Sequence, residues 1–134
     1  MTSSTKLNSS WTGSDSLLKG ARVLVVEDDF LILMELEMIL SEAGADIAGC
    51  RTVKDALALA EGNGLAAAVL DIRLGRETIA PVARELARRG IPFVFYTGQL
   101  DADAVRAEWP DRRFVPKPAQ PRTIVKAVAD LLHH

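Results

Sequence analysis

Apolar blocks alternate along the chain with blocks of mixed polarity, and the two kinds differ in period. The short apolar blocks, of which the second is weak, are typical of strands buried in a sheet, and they span residues 22–27, 46–50, 66–71, 92–97 and 113–116. The mixed blocks repeat apolar residues at helical spacing, and they span residues 29–43, 53–61, 78–89, 102–108 and 121–132. Strands that alternate with helices predict a parallel five-stranded sheet covered on both faces.

The length of 134 residues is enough for one domain with a proper core. Hydrophobic residues make up 49% of the chain and charged residues 25%, which is typical of a globular protein. Residues 1–20 are rich in small polar residues and lack the apolar region of a secretory signal, so we expect a flexible N-terminal tail there. The domain itself is expected at residues 21–132.

Charge and cysteine content narrow the range of partners and compartments. The net charge of −2 gives no argument that the chain as a whole binds nucleic acid. Five basic residues could form a local basic patch, although a solvent-exposed face is the more ordinary interpretation: Arg106, Arg112, Arg113, Arg122 and Lys126. Cys50 is the only cysteine, so the chain cannot form an internal disulfide, and a cytoplasmic location is expected. No apolar run approaches the roughly 20 residues that a membrane-spanning helix needs, so no membrane contact is expected.

Polar residues stand at the C-terminal ends of four predicted strands. Glu27 and Asp28 close the first strand and Asp71 closes the third, while Thr97 and Lys117 stand at the ends of the fourth and fifth. Because these ends meet at one edge of a parallel sheet, where open α/β folds bind their ligands, we expect the side chains to lie close together.

The chemistry of this edge suits phosphoryl transfer. Carboxylates that crowd together disfavour ionisation unless a cation is present, and with neither Cys nor His among them the site suits Mg²⁺ or Mn²⁺. Carboxylates, a cation, a hydroxyl and an ammonium group provide the positioning and charge neutralisation that phosphoryl transfer requires. A carboxylate can itself be the nucleophile, and Asp71 at the end of the central strand is the candidate for an aspartyl phosphate.

These motifs, Glu27-Asp28, Asp71, Thr97 and Lys117-Pro118, resemble the receiver domain of bacterial two-component response regulators over about residues 20–132. The resemblance implies a flavodoxin-like fold, which is a (βα)5 three-layer sandwich with strand order 2-1-3-4-5. It also implies that Asp71 accepts phosphate from a histidine kinase or a histidine phosphotransfer protein. Phosphorylation would then switch a surface that contacts an output partner, whose identity is unknown.

The resemblance implies a set of metal ligands at the edge. Asp28 and Asp71 would ligate Mg²⁺ together with the backbone carbonyl of Arg73, and Glu27 would act through a metal-bound water.

The resemblance also implies roles around the phosphoryl group. Thr97 would hydrogen-bond the phosphoryl group, and Lys117 would pair with it. Phe114 matches the aromatic switch position of the family, and Pro118 would follow a cis peptide bond.

The chain departs from the receiver pattern after Asp71, where residues 71–78 lack the usual proline-containing turn. The stretch at residues 92–98 is similar to an atypical group of receivers nicknamed FAT GUY, with Tyr96 in place of an alanine. That group includes stand-alone receivers in phosphorelays linked to stress signalling. We therefore expect a stand-alone receiver that is a monomer or weak dimer, with no DNA binding by this chain.

Two other functions stay open. A phosphatase of the haloacid dehalogenase type forms an aspartyl phosphate but needs a second aspartate two residues after the nucleophile, where this chain has Arg73. A receiver-like interaction module that is never phosphorylated would not require the complete acidic, hydroxyl and lysine set.

Some positions allow either a packing or a functional interpretation. Asp29 is more consistent with a first-turn carboxylate at a helix N-terminus than with a metal ligand. We expect Tyr96 to pack in the core. Met34 and Met38 could form an adaptable partner surface, but we expect core or flank packing for at least one of them.

Overall fold

The computed structural model describes residues 16–98 and 103–133, and strands and helices alternate in it as the sequence predicts. The strands are β1 (Arg22–Val26), β2 (Asp46–Cys50), β3 (Leu65–Leu70), β4 (Arg73–Leu74), β5 (Glu77–Thr78), β6 (Phe93–Thr97) and β7 (Phe114–Pro116). The helices are α1 (Phe30–Glu42), α2 (Val53–Ala60), α3 (Ala80–Arg88), α4 (Asp103–Glu108) and α5 (Pro121–Leu132). Residue 102, where α4 was predicted to begin, lies outside the described residues.

Five of the strands form one parallel sheet in the order β2-β1-β3-β6-β7. When only the strands of this sheet are counted, the order is the predicted 2-1-3-4-5, and the flavodoxin-like three-layer fold is confirmed. The register pairs Val26 with Leu70, Leu70 with Phe95, and Thr97 with Pro116, so the C-terminal strand ends lie side by side.

Two hydrophobic clusters fill the space between the sheet and the two helix layers. One lies under α1 and α5, and the other lies under α2, α3 and α4. Alternate residues of β1 enter the two clusters: Val23 and Val25 belong to the first, and Leu24 and Val26 belong to the second. All four side chains are buried, as the continuous apolar run of this strand predicts.

Packed structure begins before the boundary expected at residue 21. Leu18 is fully buried in the cluster under α1, and its backbone N–H donates to the Ala43 carbonyl at 2.9 Å. Residues 1–15 of the expected tail lie outside the described residues. The last residues of that tail are therefore part of the domain core.

A small antiparallel hairpin follows β3, and the sequence did not predict it. Its strands β4 and β5 pair Arg73 with Thr78, and Leu74 of β4 is buried. Gly75 turns the chain between the strands with a φ of +63°, a conformation that costs glycine little. Strands of two residues carry too few positions for a periodic pattern, which is why this element was missed.

Helix ends follow the chemistry of their sequences. The Asp29 side chain caps α1 by accepting from the backbone N–H groups of Leu31 and Ile32, which confirms its interpretation as a helix-start residue. Pro81 lies in the first turn of α3, where the missing N–H has no helical partner to lose. Among the described residues, no helix is long and apolar enough to cross a membrane.

Candidate functional site

The predicted polar residues meet at the C-terminal edge of the sheet because the ladder of hydrogen bonds continues past the strand ends. Glu27 N–H donates to the Cys50 carbonyl at 3.1 Å, and Asp71 N–H donates to the Val26 carbonyl at 3.0 Å. Lys117 N–H donates to the Thr97 carbonyl at 3.1 Å. These bonds fix the backbone of the edge, and the side chains that leave it share one small volume.

Lys117 joins two of the carboxylates. Its Nζ lies 2.8 Å from Asp71 Oδ2 and 2.6 Å from Glu27 Oε1. Both carboxylates are buried, at 7% exposure for Asp71 and 1% for Glu27, so this ammonium group is their counter-charge in a poorly hydrated place. Single carboxylate oxygens of Glu27, Asp28 and Asp71 all lie within 4.8 Å of one another.

Burial changes the ionisation of this group. It raises the pKa of the Glu27 carboxyl from 4.5 to about 7; the Lys117 ammonium and the Asp29 N–H lower this pKa, and the Asp71 charge raises it. For Lys117 burial lowers the pKa, but the contacts with Asp71 and Glu27 outweigh burial and leave the pKa raised. The lysine therefore keeps its positive charge between the two carboxylates.

The acidic cluster fits a hard divalent cation. All of its donors are carboxylate oxygens, which Mg²⁺ prefers. The buried Glu27 Oε1 makes an ion pair with Lys117 Nζ at 2.6 Å and accepts no other hydrogen bond among the described residues. A carboxylate oxygen can accept more than one contact, so Glu27 Oε1 can also face a cation or its water.

Two residues outside the predicted set hold the acidic loop in place. Arg51 donates from Nε and Nη2 to the Asp28 carbonyl at 3.1 and 3.0 Å, and its guanidinium lies 5.6 Å from the Phe30 ring centroid. Gly75 N–H donates to Asp28 Oδ2 at 2.9 Å, so the unpredicted hairpin is bound directly to the acidic cluster. Both contacts join residues far apart in sequence, and no local pattern indicates them.

The remaining site residues lie around this centre. Thr97 is buried at the end of β6, one residue beyond the level of Asp71 in the sheet register. Arg73 is exposed in β4, two residues after Asp71, and its backbone carbonyl stays a predicted metal ligand. The Lys117-Pro118 peptide bond is cis, which is the isomer that the resemblance implies.

Phe114 lies half-buried beside the site. Its ring stacks on Phe95 at a centroid distance of 4.7 Å, and the Arg106 guanidinium covers the ring at 4.1 Å. Thr97 and Phe114 both line a cavity of about 350 Å³ under α4. The switch role of Phe114 stays a prediction, and the cavity borders both of the residues that it would couple.

The exposure of Tyr96, Met34 and Met38 distinguishes between core packing and a position on the surface. Tyr96 is buried as expected, and its hydroxyl accepts a hydrogen bond from the Ala119 N–H at 3.2 Å. Met34 and Met38 are both exposed, so neither packs in the core, whereas packing at the flank of the helix stays a prediction.

The comparisons with known proteins identify the family and support the fold. The family model of the response regulator receiver domain matches residues 23–129, and the chain belongs to this family. Receiver domains are signalling modules of two-component systems rather than conventional metabolic enzymes. A search of curated proteins finds no match.

Solved structures extend the comparison. The solution structure of SdrG from Sphingomonas melonis Fr1 is 43% identical, with a TM-score of 0.73, over 87% of this chain and 98% of that one. The response regulator PhyR from Brucella abortus is 27% identical, with a TM-score of 0.74, over 90% of this chain and 51% of that one. The non-phosphorylated HemR receiver domain from Leptospira biflexa has the same fold, with a TM-score of 0.74. It is 24% identical over 85% of this chain and 95% of that one.

Proposed function

We propose that the protein is the phosphoacceptor of a two-component or phosphorelay system, and that Asp71 accepts phosphate from a phosphohistidine donor in the presence of Mg²⁺. The observation that carries the proposal is the buried group in which Lys117 Nζ contacts both Asp71 and Glu27, beside Asp28. A nucleophilic carboxylate, an adjacent cluster of oxygen ligands and a fixed ammonium group supply the parts that transfer to a carboxylate needs.

In this proposal an oxygen of Asp71 attacks the phosphorus of the donor. The P–N bond to the donor imidazole breaks, the imidazole nitrogen keeps the electron pair, and Asp71 becomes an acyl phosphate. Asp28, Asp71 and the Arg73 carbonyl would hold Mg²⁺, with Glu27 acting through water, and the ion would supply neutralisation of the charge on the phosphoryl oxygens. Lys117, already 2.8 Å from Asp71, moves its ammonium from the carboxylate to a phosphoryl oxygen.

We propose that the response to phosphorylation runs through Thr97 and Phe114. The Thr97 hydroxyl hydrogen-bonds the phosphoryl group, and the cavity that Thr97 shares with Phe114 allows the half-buried ring to move inward. Such a movement shifts the equilibrium between two surface states and changes the affinity for an output partner.

The partner-level expectations stay predictions. A histidine kinase or histidine phosphotransfer protein would be the donor, and the output partner would be another protein. The similarity of residues 92–98 to the FAT GUY group, the monomeric or weakly dimeric state and the reducing compartment favoured by the lone Cys50 also stay predictions.

The experiment is to treat the protein with acetyl phosphate and Mg²⁺ and to measure its intact mass. We expect a gain of one phosphate that is lost when Mg²⁺ is removed with EDTA. Asp71→Asn should abolish the gain, whereas the matched variant Asp55→Asn, at an exposed carboxylate on α2, should retain it.

A phosphate gain that persists in Asp71→Asn would overturn the proposal. Absence of any gain in the wild-type protein, with the fold intact, would instead favour an interaction module that is not phosphorylated.

A further inference from the structure

The first helix carries an apolar face that the described residues leave uncovered. Among their large apolar side chains the exposed ones are Leu17 at 42%, Phe30 at 54%, Leu31 at 74%, Met34 at 48% and Met38 at 58%. Four of these lie on α1, and Leu31, Met34 and Met38 follow one another at spacings of three and four residues, which places them in one stripe. We call these three residues the α1 stripe.

This stripe is additional to the face that α1 buries. Leu36 and Leu40 of the same helix fill the core under it, so α1 is apolar on two sides. A surface helix normally presents polar residues on its outer side, and an exposed apolar patch marks an interaction surface.

The N-terminal segment, residues 1–15, joins the domain beside this helix. Leu18 N–H donates to the carbonyl of Ala43, the residue that caps the C-terminal end of α1. At about 1.5 Å per helical residue, Met38 lies about 8 Å and Leu31 about 18 Å along the axis from that point. Five residues of extended chain reach about 17 Å, so Trp11 can reach Met38 and Met34 from its tether at residue 16.

The segment has apolar residues that match the stripe. Residues 1–15 contain Leu7 and Trp11, and polar or small residues separate the two. By the same measure Leu7, nine residues before residue 16, reaches about 30 Å and therefore beyond Leu31. Trp has a large aromatic surface, and methionine makes favourable contacts with aromatic rings.

The charges of the two parts are complementary. The α1 sequence contains Glu35, Glu37 and Glu42 and no basic residue. Residues 1–14 contain Lys6 and no acidic residue, and Asp15 follows at the end of the segment. Attraction between Lys6 and the acidic side chains of the helix favours the contact that the apolar residues make.

We propose that residues 1–15 cover the α1 stripe, with Trp11 on Met34 and Met38. A covalent tether of a few residues gives an effective concentration of about millimolar, so even a weak contact is occupied, whereas a second copy or a free partner must bind from dilute solution. The inference goes beyond the proposed function and does not depend on phosphorylation of Asp71.

The test uses the full chain labelled with ¹³C at the methionine methyl groups. The chain has three methionines, Met1, Met34 and Met38, so the spectrum is simple to assign. We expect Trp11→Ala to remove ring-current shifts from the Met34 and Met38 signals and to bring them to the positions seen in a chain of residues 16–134. Thr12→Ala, which alters a neighbouring polar residue, should leave both signals unchanged.

A second variant tests the same contact from the helix. Met38→Glu should release the segment and move Trp11 fluorescence to the wavelength of a free peptide of residues 1–15, after subtraction of the Trp11→Ala spectrum. Ala87→Glu, which adds the same charge at an exposed position of α3, should not. Methyl signals that are identical in wild type and Trp11→Ala, or that move with protein concentration as a second copy would require, would each overturn the proposal.

Discussion

Glu27 shows how one buried carboxyl group changes the properties of the whole edge. It is more deeply buried than Asp71, and it shares the Lys117 ammonium with that residue. A cation or a proton must balance the second negative charge, because one ammonium group cannot neutralise two buried carboxylates. The raised pKa of Glu27, about 7, is the consequence of this burial.

This pKa gives a dependence of stability on pH in metal-free protein. Between about 4.5 and about 7 the folded chain holds a proton on Glu27 that the unfolded chain has released, so this group lowers the free energy of unfolding as pH rises through that window. Relative to Glu27→Gln, the wild type should lose on the order of 2–3 kcal/mol over this range. Urea denaturation in EDTA at several pH values measures the difference.

The matched control is Glu42→Gln, at an exposed position on α1, and its difference from wild type should stay flat. A wild-type minus Glu27→Gln difference that stays level or rises between these pH values would contradict the assigned pKa.

At the scale of elements, the hairpin of β4 and β5 connects the backbone after Asp71 to the acidic loop after β1. The Gly75 N–H reaches Asp28 Oδ2, and the Ile79 N–H donates to the Ile72 carbonyl at 2.8 Å, which closes the base of the hairpin. The turn depends on the positive φ of Gly75, and a β-carbon added there would meet no other atom within 4 Å.

Substitution of Gly75 should therefore act through the backbone alone. Gly75→Ala should destabilise the domain by about 1 kcal/mol, because a β-carbon is unfavourable at positive φ. Gly75→Asn should cost less, since asparagine tolerates this conformation. The two variants compare directly by denaturant titration, and an alanine variant as stable as the asparagine variant would show that the turn does not impose this φ in solution.

The elements that could be predicted from the sequence are those long enough to show a periodic pattern of apolar residues. The strands of the main sheet and the helices are found within about two residues of their predicted bounds, and the polar strand ends Glu27, Asp71 and Thr97 follow from them. Contacts between residues far apart in the sequence could not be predicted from it. The hydrogen bond from Arg51 to the Asp28 carbonyl, for example, forms only because the C-terminal ends of β2 and β1 lie side by side. The sequence also left the exposure of the methionines on α1 undecided, because an apolar residue at helical spacing can lie in the core or on a partner surface.

For the whole molecule, one sheet separates two clusters that must both form. Ile124 of α5 lies in the cluster under α1 and α5, and Ile79 at the start of α3 lies in the cluster on the opposite face. Both side chains are buried, and both clusters rest on the same strands. The domain is therefore expected to unfold as one cooperative unit.

Shortening one side chain in each cluster tests this cooperativity. Ile124→Val and Ile79→Val should each cost about 1 kcal/mol, and the double variant should lose the sum within about 0.5 kcal/mol with an unchanged denaturant slope. Fluorescence of the buried Trp109 and far-UV circular dichroism should report the same midpoint. Separate midpoints would show that the two faces unfold independently.

If Asp71 is the phosphoacceptor, the phosphate must be found on its carboxylate, and its position in the chain can be measured. After treatment with acetyl phosphate and Mg²⁺, borohydride reduces an aspartyl phosphate to homoserine, and peptide mass spectrometry identifies the altered residue. We expect homoserine at position 71 and at no other aspartate, and none when Mg²⁺ is withheld. Homoserine at Asp28 or another position, or an unmodified residue 71 in protein that has gained phosphate, would contradict this expectation.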